Sequence, residues 1–247
     1  MTAETSQGVL SDTGLRALIA AGAVLPDRPV TDAQIQPASI DLRLGSVAYR
    51  VRASFLTGPG RKVADRIAEF EMHRISLTDG AVLEKGCVYL VPLQESLALP
   101  PGLSAVANAK SSTGRLDLLT RTITDGGVEF DRIPDGYHGP LYAEICPRSF
   151  SVLARTGQRL NQLRVRRGQA TLTDADLQAL HHAGPLVSGA PVISDGLGFS
   201  VDLLPSDGDL VGYRAKPHTG VIDLDRIGHY AARDYWEELR TTEGRII

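Results

Sequence analysis

The chain has 247 residues, 43% of them hydrophobic and 22% charged, an ordinary composition for a protein with a proper core. Its 26 Lys and Arg against 29 Asp and Glu leave a formal charge of −3, so no global basic field draws it to nucleic acid or anionic lipid, and any phosphate site must be local. Cys87 and Cys146 form no CxxC pair, MTAETSQG lacks the pattern of a signal peptide, and no apolar run is long enough to span a bilayer, so a cytoplasmic protein without disulfides or a membrane span is expected.

Ser11 opens a helix signal, with Leu15, Leu18 and Ile19 on one face and Gly22 closing it. In QPASIDLRLG the period changes: Ile40, Leu42 and Leu44 alternate with Asp41 and Arg43, the pattern of a half-buried strand, and Val47, Tyr49 and Val51 continue it. CVYLVPL reads as a buried strand, and LYAEICPR alternates again, with Leu141, Ala143 and Ile145 opposite Tyr142, Glu144 and Cys146. Gly and Pro punctuate the chain throughout, as in LPPG and IPDGYHGP, and many short strands with frequent turns predict an antiparallel sandwich or barrel.

After Gly168 the texture shifts. TLTDADLQALHH predicts a helix capped by Thr173, and HAGPLVSGAP a linker. FSVDLL, DLVGYRA and GVIDL read as strands, followed by an amphipathic patch around Tyr235, Trp236 and Leu239 and an apolar ending, GRII. The expected organisation is a first domain over 1–168, a helix and linker over 169–190, and over 191–247 the start of a second β domain, too thin to hold a core of its own.

No GxxxxGK[ST] phosphate loop is present, nor the HxE and PCxxC signature of zinc-dependent deaminases. KSSTGR has two readings. It can be a helix start, with Ser112 or Thr113 capping a short helix that carries Leu116, Leu118 and Leu119, or an anion site whose hydroxyls and backbone N–H groups are flanked by Lys110 and Arg115. Glu144 likewise stands either on an exposed sheet face, paired with Arg148, or as a partly desolvated carboxylate that takes and returns protons. GYHGP is a turn that can also set Tyr137 against a flat ligand, and Gln162 in the strand RTGQRLNQLRV can offer its amide to a phosphate.

QIQPASIDLRLG, ESLALPPGLSAVANAKSSTGRLDLLTR, DGYHGPLYAEI and RTGQRLNQL together resemble, in order and spacing, the dCTP deaminase branch of the dUTPase-like family, over roughly residues 9–168. The chain looks closest to a long subgroup in which two such domains are fused, of which it would carry the first and the opening of the second. The resemblance implies a mainly β fold, a distorted antiparallel β-barrel or jelly roll with a few short helices, assembled as a homotrimer with active sites between subunits. It implies hydrolytic conversion of dCTP to dUTP and ammonia without protein-bound zinc, Mg²⁺ arriving on the triphosphate. On the matching positions, Glu144 is the catalytic acid/base and Ser111 positions the attacking water. Lys110, Ser112 and Arg115 grip the substrate, with Tyr137 and Gln162 beside it. Pro134 stands where the deaminases usually carry a sugar-reading aspartate, which leaves that task to Asp135, displaced by one, or to Asp131. A dUTPase-type pyrophosphatase does not need Glu144, and a non-catalytic nucleotide-binding or assembly domain would need none of the acid/base machinery.

Overall fold

The computed structural model describes residues 7–202 and 208–241. Ser11 caps α1 (Asp12–Ala20) by accepting the Gly14 N–H at 3.4 Å, and the helix turns Leu15 and Leu18 into the core. The strands β1 (Val24–Pro26), β2 (Ser39–Arg43) and β3 (Val47–Val51) lead to a second helix, α2 (Val63–Phe70). After it come β4 (Glu71–Ser76), β5 (Ala81–Leu83), the long β6 (Val88–Ala98) and β7 (Leu103–Ala109). A one-turn helix, α3 (Ser111–Gly114), connects β7 to β8 (Leu118–Thr124), and β9 (Arg132–Ile133), β10 (His138–Pro147), β11 (Val152–Ala154) and β12 (Arg159–Arg167) follow.

Most of these strands form two six-stranded antiparallel sheets, while β5 and β11 pair antiparallel in a small third sheet. The first runs β9–β7–β12–β2, with Ile35–Gln36 beyond β2 and Gly8–Val9 on β12; the second runs β8–β10–β6–β3–β4, with β1 on β6. Ile40, Leu42, Ala105, Leu163 and Val165 of the first share one buried cluster with Tyr89, Val91, Ala143 and Ile145 of the second. Each large apolar side chain buried there contributes about 1.5–3 kcal/mol, which holds the sheets face to face. The mainly β architecture expected from the strand and turn pattern is present.

The chain passes from one sheet to the other at Gly45. Leu44 bridges Leu93, and the Gly45 N–H donates to the Pro92 carbonyl at 2.8 Å. A Cβ at Gly45 would stand 2.6 Å from that carbonyl oxygen, so only glycine permits the approach. Beside the corner Arg43 donates from Nε to Glu95 Oε1 and from its backbone N–H to Oε2, both at 2.7 Å, and Gln34 adds a bond to Oε1 at 2.9 Å. The pair thus links β2 to β6 across the two sheets. This corrects the half-buried reading of β2: all its residues are buried, because Asp41 and Arg43 find ionic partners under cover.

The second sheet is covered on its outer face too. Val63 and Ile67 of α2, with Phe55, pack on Val51, Leu90, Ile123 and Tyr142 as a smaller second core. Residues 141–147 of β10 are therefore buried on both faces. The expected exposed face of this strand, with Glu144 paired to Arg148, is not what the structure holds. KSSTGR also departs from its helical reading: Asp117 has φ +52, the chain leaves α3 after one turn, and Leu118 and Leu119 already belong to β8.

Thr173 caps α4 (Asp174–Ala183) in a reciprocal box with Asp176. A short hairpin of Val192–Ile193 and Leu197–Gly198 follows. The FSVDLL expectation fails over residues 199–202, which form no strand, while Leu203, Leu204 and the GRII ending lie outside the described residues. The last elements are β13 (Leu210–Ala215), β14 (Ile222–Asp223), α5 (Ala232–Tyr235) and β15 (Trp236–Arg240). They dock on the first region: β14 runs parallel to β11, and Phe150 meets Tyr235 and Trp236 edge-on at 5.4 and 5.0 Å. Arg155 donates to both oxygens of Asp223, at 2.5 and 3.0 Å, and pulls that carboxyl down to about 2. Among the described residues no helix is long and apolar enough to cross a membrane.

Gly45→Ala is expected to cost about 1–3 kcal/mol, the usual penalty for forcing atoms into a packed site. At about 2–4 °C per kcal/mol this lowers Tm measurably in a calorimetric scan. An unchanged Tm would mean that the Gly45 corner is not the constraint described here.

Candidate active site

Glu144 lies in the middle of β10, between Arg121 of β8 on one side and Leu90 of β6 on the other. It is 1% exposed. Arg121 donates to Glu144 Oε1 from Nε at 3.1 Å and from Nη2 at 2.5 Å. Nη2 also donates to Ser54 Oγ at 3.1 Å, and the guanidinium carbon sits 3.6 Å from the centre of the Phe130 ring. Glu144 Oε2 is buried and has no hydrogen-bond partner among the described residues. Buried polar atoms are mostly bonded, and Oε2 is one of several buried acceptors without a partner among the described residues, with Asp41 Oδ1, Gln94 Oε1 and Asn161 Oδ1; what sets it apart is the cation on its sister oxygen.

Asp131 belongs to the same neighbourhood. Its φ of +62 folds the chain back on β8, where its Oδ1 accepts the Thr122 N–H at 2.7 Å. Burial pushes its carboxyl above the ordinary range, against the Thr122 bond and the Arg121 charge, and Glu144 pushes it further. On the same face of the sheet, Tyr49, Pro92 and Tyr142 line a shallow cavity of about 230 Å³ closed by Ala64, Ile67 and Ala68 of α2 and by Glu71 and Arg74.

The cations and hydroxyls stand elsewhere, at the end of the first sheet. Ser111, Ser112 and Arg115 are exposed, and the Arg115 side chain makes no hydrogen bond or ion pair among the described residues. Lys110 precedes them with its ammonium on Asp41 Oδ2, and Arg159 stands 3.8 Å from the same oxygen. Asp41 is fully buried, and its Oδ1 has no partner. Gln162 faces Asp41 across the β12–β2 pair and accepts a long bond from Ser39 Oγ at 3.4 Å. Since α3 is a single turn, the anion-binding character of this rim rests on the side-chain cations and hydroxyls, not on a helix dipole.

Within one chain, then, Glu144 and Asp131 come together, and Lys110, Ser111, Ser112, Arg115 and Gln162 share another rim. No hydrogen bond or ion pair joins the two groups among the described residues. Asp135 is in neither group: it is exposed and its Oδ1 accepts the Gly102 N–H at 3.0 Å, which ties down a turn. Tyr137 packs in the main core, its hydroxyl donating to the Pro140 carbonyl at 2.8 Å and accepting the Asp125 N–H at 3.1 Å, and burial raises the phenol to about 12. Its ring offers no open wall to a ligand. Sequence reasoning missed Arg121, Ser54 and Phe130, and it read Asp41 only as a strand residue. The alternation in LLTRTIT puts Arg121 on a definite face, but only the strand register sets it against Glu144. Among the described residues no three His, Cys, Asp or Glu side chains gather as a metal cage.

One carboxylate with a fixed and a free oxygen can carry protons, and an exposed rim of cations and hydroxyls can hold an anion. The family model for the N-terminal domain of 2'-deoxycytidine 5'-triphosphate deaminase matches residues 6–169, and that for its C-terminal domain matches residues 173–247. The chain is 34% identical over 159 residues to a protein of Coprothermobacter proteolyticus named dCTP deaminase, dUMP-forming, which covers 63% of this chain and 80% of the relative. It is 29% identical over 158 residues to a dCTP deaminase of Halorubrum lacusprofundi, covering 63% and 75% of the two chains. The crystal structure of 2'-deoxycytidine 5'-triphosphate deaminase from Agrobacterium tumefaciens matches at 49% identity and a TM-score of 0.86, over 95% of this chain and 71% of that one. The chain belongs to the 2'-deoxycytidine 5'-triphosphate deaminase family.

Proposed function

We propose that the protein deaminates dCTP by adding water to C4 of the cytosine ring and releasing ammonia, with Glu144 carrying the protons. The observation that supports this reading best is the 1% exposed Glu144, with one oxygen engaged by Arg121 and the other free. As the C4–O bond forms, Glu144 takes a proton from the attacking water and passes it to N3. It then takes the proton of the new C4 hydroxyl and delivers it to the amino group, the C4–N4 bond breaks, ammonia leaves and a C4 carbonyl remains. One water is consumed, nothing is oxidised or reduced, and the carboxylate ends as it began. Ser111 places the water.

The substrate is the triphosphate with its Mg²⁺. Lys110, Ser112 and Arg115 hold the phosphates, and Gln162 stands behind them on β12. Binding energy gathered at the triphosphate, far from the reacting carbon, orients the base. Asp131 is assigned the sugar contact, a reading supported by its position beside Glu144 and by the tie of Asp135 to the Gly102 turn. Because Glu144 and the Ser111–Arg115 rim do not meet within one chain, the complete site forms between chains of a closed homotrimer, a soluble enzyme of the cytoplasm.

The proposed product is dUTP. A second reading, dUMP with release of diphosphate, is supported by the names of relatives such as those of Coprothermobacter proteolyticus and Acidothermus cellulolyticus, both called dUMP-forming.

Incubation with dCTP and Mg²⁺ is expected to release ammonia, and a diphosphate assay on the same sample separates dUTP from dUMP. Glu144→Gln should lose at least about a hundredfold in ammonia release, the scale of a lost general acid/base, while still binding dCTP. Retained turnover would remove Glu144 from the chemistry. Arg115→Ala should weaken dCTP binding and leave Tm unchanged, since the side chain is exposed. If instead Tm collapses and affinity holds, Arg115 is structural.

A further inference from the structure

We infer that Arg121 is the positioning residue of the proton carrier: it grips Oε1 of Glu144 and thereby assigns proton transfer to Oε2. The inference rests on the deaminase reading of the site and goes beyond it by naming which oxygen reacts and what holds it. An arginine facing a carboxylate usually pairs fork to fork, one donor to each oxygen. Here Nε and Nη2 converge on the same oxygen, at 3.1 and 2.5 Å, and Oε2 is left with nothing.

The surroundings account for this off-centre grip. Arg121 and Glu144 are direct cross-strand neighbours on β8 and β10, so the backbone ladder fixes the distance between them. The Phe130 ring packs on the guanidinium, its centre 3.6 Å from the central carbon, and Ser54 Oγ accepts from Nη2 at 3.1 Å, so both brace the arginine. The other charge near the pair is Asp131, whose own carboxylate is occupied by the Thr122 N–H. Among the described residues, nothing but Arg121 donates to Glu144.

In the reaction Arg121 neither gives nor receives a proton. Oε2 accepts the proton of the attacking water and returns it to N3, then accepts the hydroxyl proton and returns it to the departing amine, while Oε1 stays on the guanidinium. A carboxylate released from Arg121 could turn about its last bond, and Oε2 would lose its fixed aim. Misplacement on the scale of an ångström costs roughly a hundredfold in rate.

The test uses Arg121→Gln and Arg121→Lys in the full chain, with kcat and KM for dCTP, Tm and light scattering measured on each. A positioning role predicts that Arg121→Gln, assayed at a temperature where it is still folded, loses roughly a hundredfold in kcat with KM changed less than about threefold, and that its Tm falls because the buried carboxylate has lost its cation. Arg121→Lys, which keeps one cationic donor for Oε1, should recover at least about a tenth of the lost rate. Wild-type kcat in folded Arg121→Gln overturns the inference, as does a loss that tracks Tm and that lysine does not relieve. Should Arg121→Gln fail to fold, Phe130→Leu takes its place: loosening the guanidinium should lower kcat at constant KM, and an unchanged kcat overturns the inference. A parent protein that releases no ammonia from dCTP refutes the deaminase reading itself, whereas an active parent with an equally active Arg121→Gln refutes only the role of Arg121.

Discussion

The ion pair between Glu144 and Arg121 sets the terms for the rest of the molecule. A carboxylate taken out of water needs a partner at close range, and removing that partner from a buried pair is strongly destabilising, by about 3–5 kcal/mol. Here the partner is delivered by the neighbouring strand and braced by Phe130 and Ser54. The carboxylate is buried while the Arg121 side chain keeps part of its surface in solvent, and α2 and Phe55 close the outer face of the same sheet with Val63 and Ile67 over Leu90, Ile123 and Tyr142. In the proposed mechanism the small second core is therefore part of the chemistry, because a solvated Glu144 would have no particular capacity to move protons.

The cationic rim follows a different design. Arg115 is free to reach outward, while Lys110 is partly committed to Asp41, which is buried beneath it with Arg159 close by. An anion arriving here meets hydroxyls and cations already gathered by folding, in a chain whose overall charge of −3 gives no general attraction to phosphate. Glu144 sits on the second sheet, Lys110 and Gln162 stand at the end of the first and α3 lies in the connection between them, while the Gly45 corner, the Arg43–Glu95 pair and the shared core fix one sheet against the other. Each half is thus held rigid by its own chain, and a ligand that meets the two from neighbouring chains has to order neither on binding.

Much of this was legible in the sequence, and the failures have physical causes. The caps at Ser11 and Thr173 work because they are local: a side chain bonding a backbone N–H three residues on needs no tertiary information. The strands of QPASIDLRLG and LYAEICPR were visible from alternation, but the same alternation gave the wrong burial, since it cannot reveal that a helix or an ion pair will cover the polar face. Leu116, Leu118 and Leu119 imitate a helical stripe, and the break at Asp117 depends on a left-handed φ that an aspartate only sometimes adopts. Glu144, Ser111 and Arg115 stood out through their motifs. Arg121 did not, because its partner lies 23 positions away and is chosen by register. Tyr137 stood out as well, yet its turn requires the hydroxyl for itself.

The claim that most needs testing is that the carboxylate and the cationic rim of one working site come from different chains. Glu144→Gln and Arg115→Ala subunits, carrying different tags and coexpressed, can be isolated as mixed oligomers and assayed for ammonia at low dCTP, where neither parent oligomer turns over well. A shared site predicts that the mixed oligomers recover activity that both parents lack, because some sites then draw an intact Glu144 from one chain and an intact Arg115 from its neighbour. Mixed oligomers no more active than their parents would place both residues of each site on the same chain and contradict the shared-site arrangement.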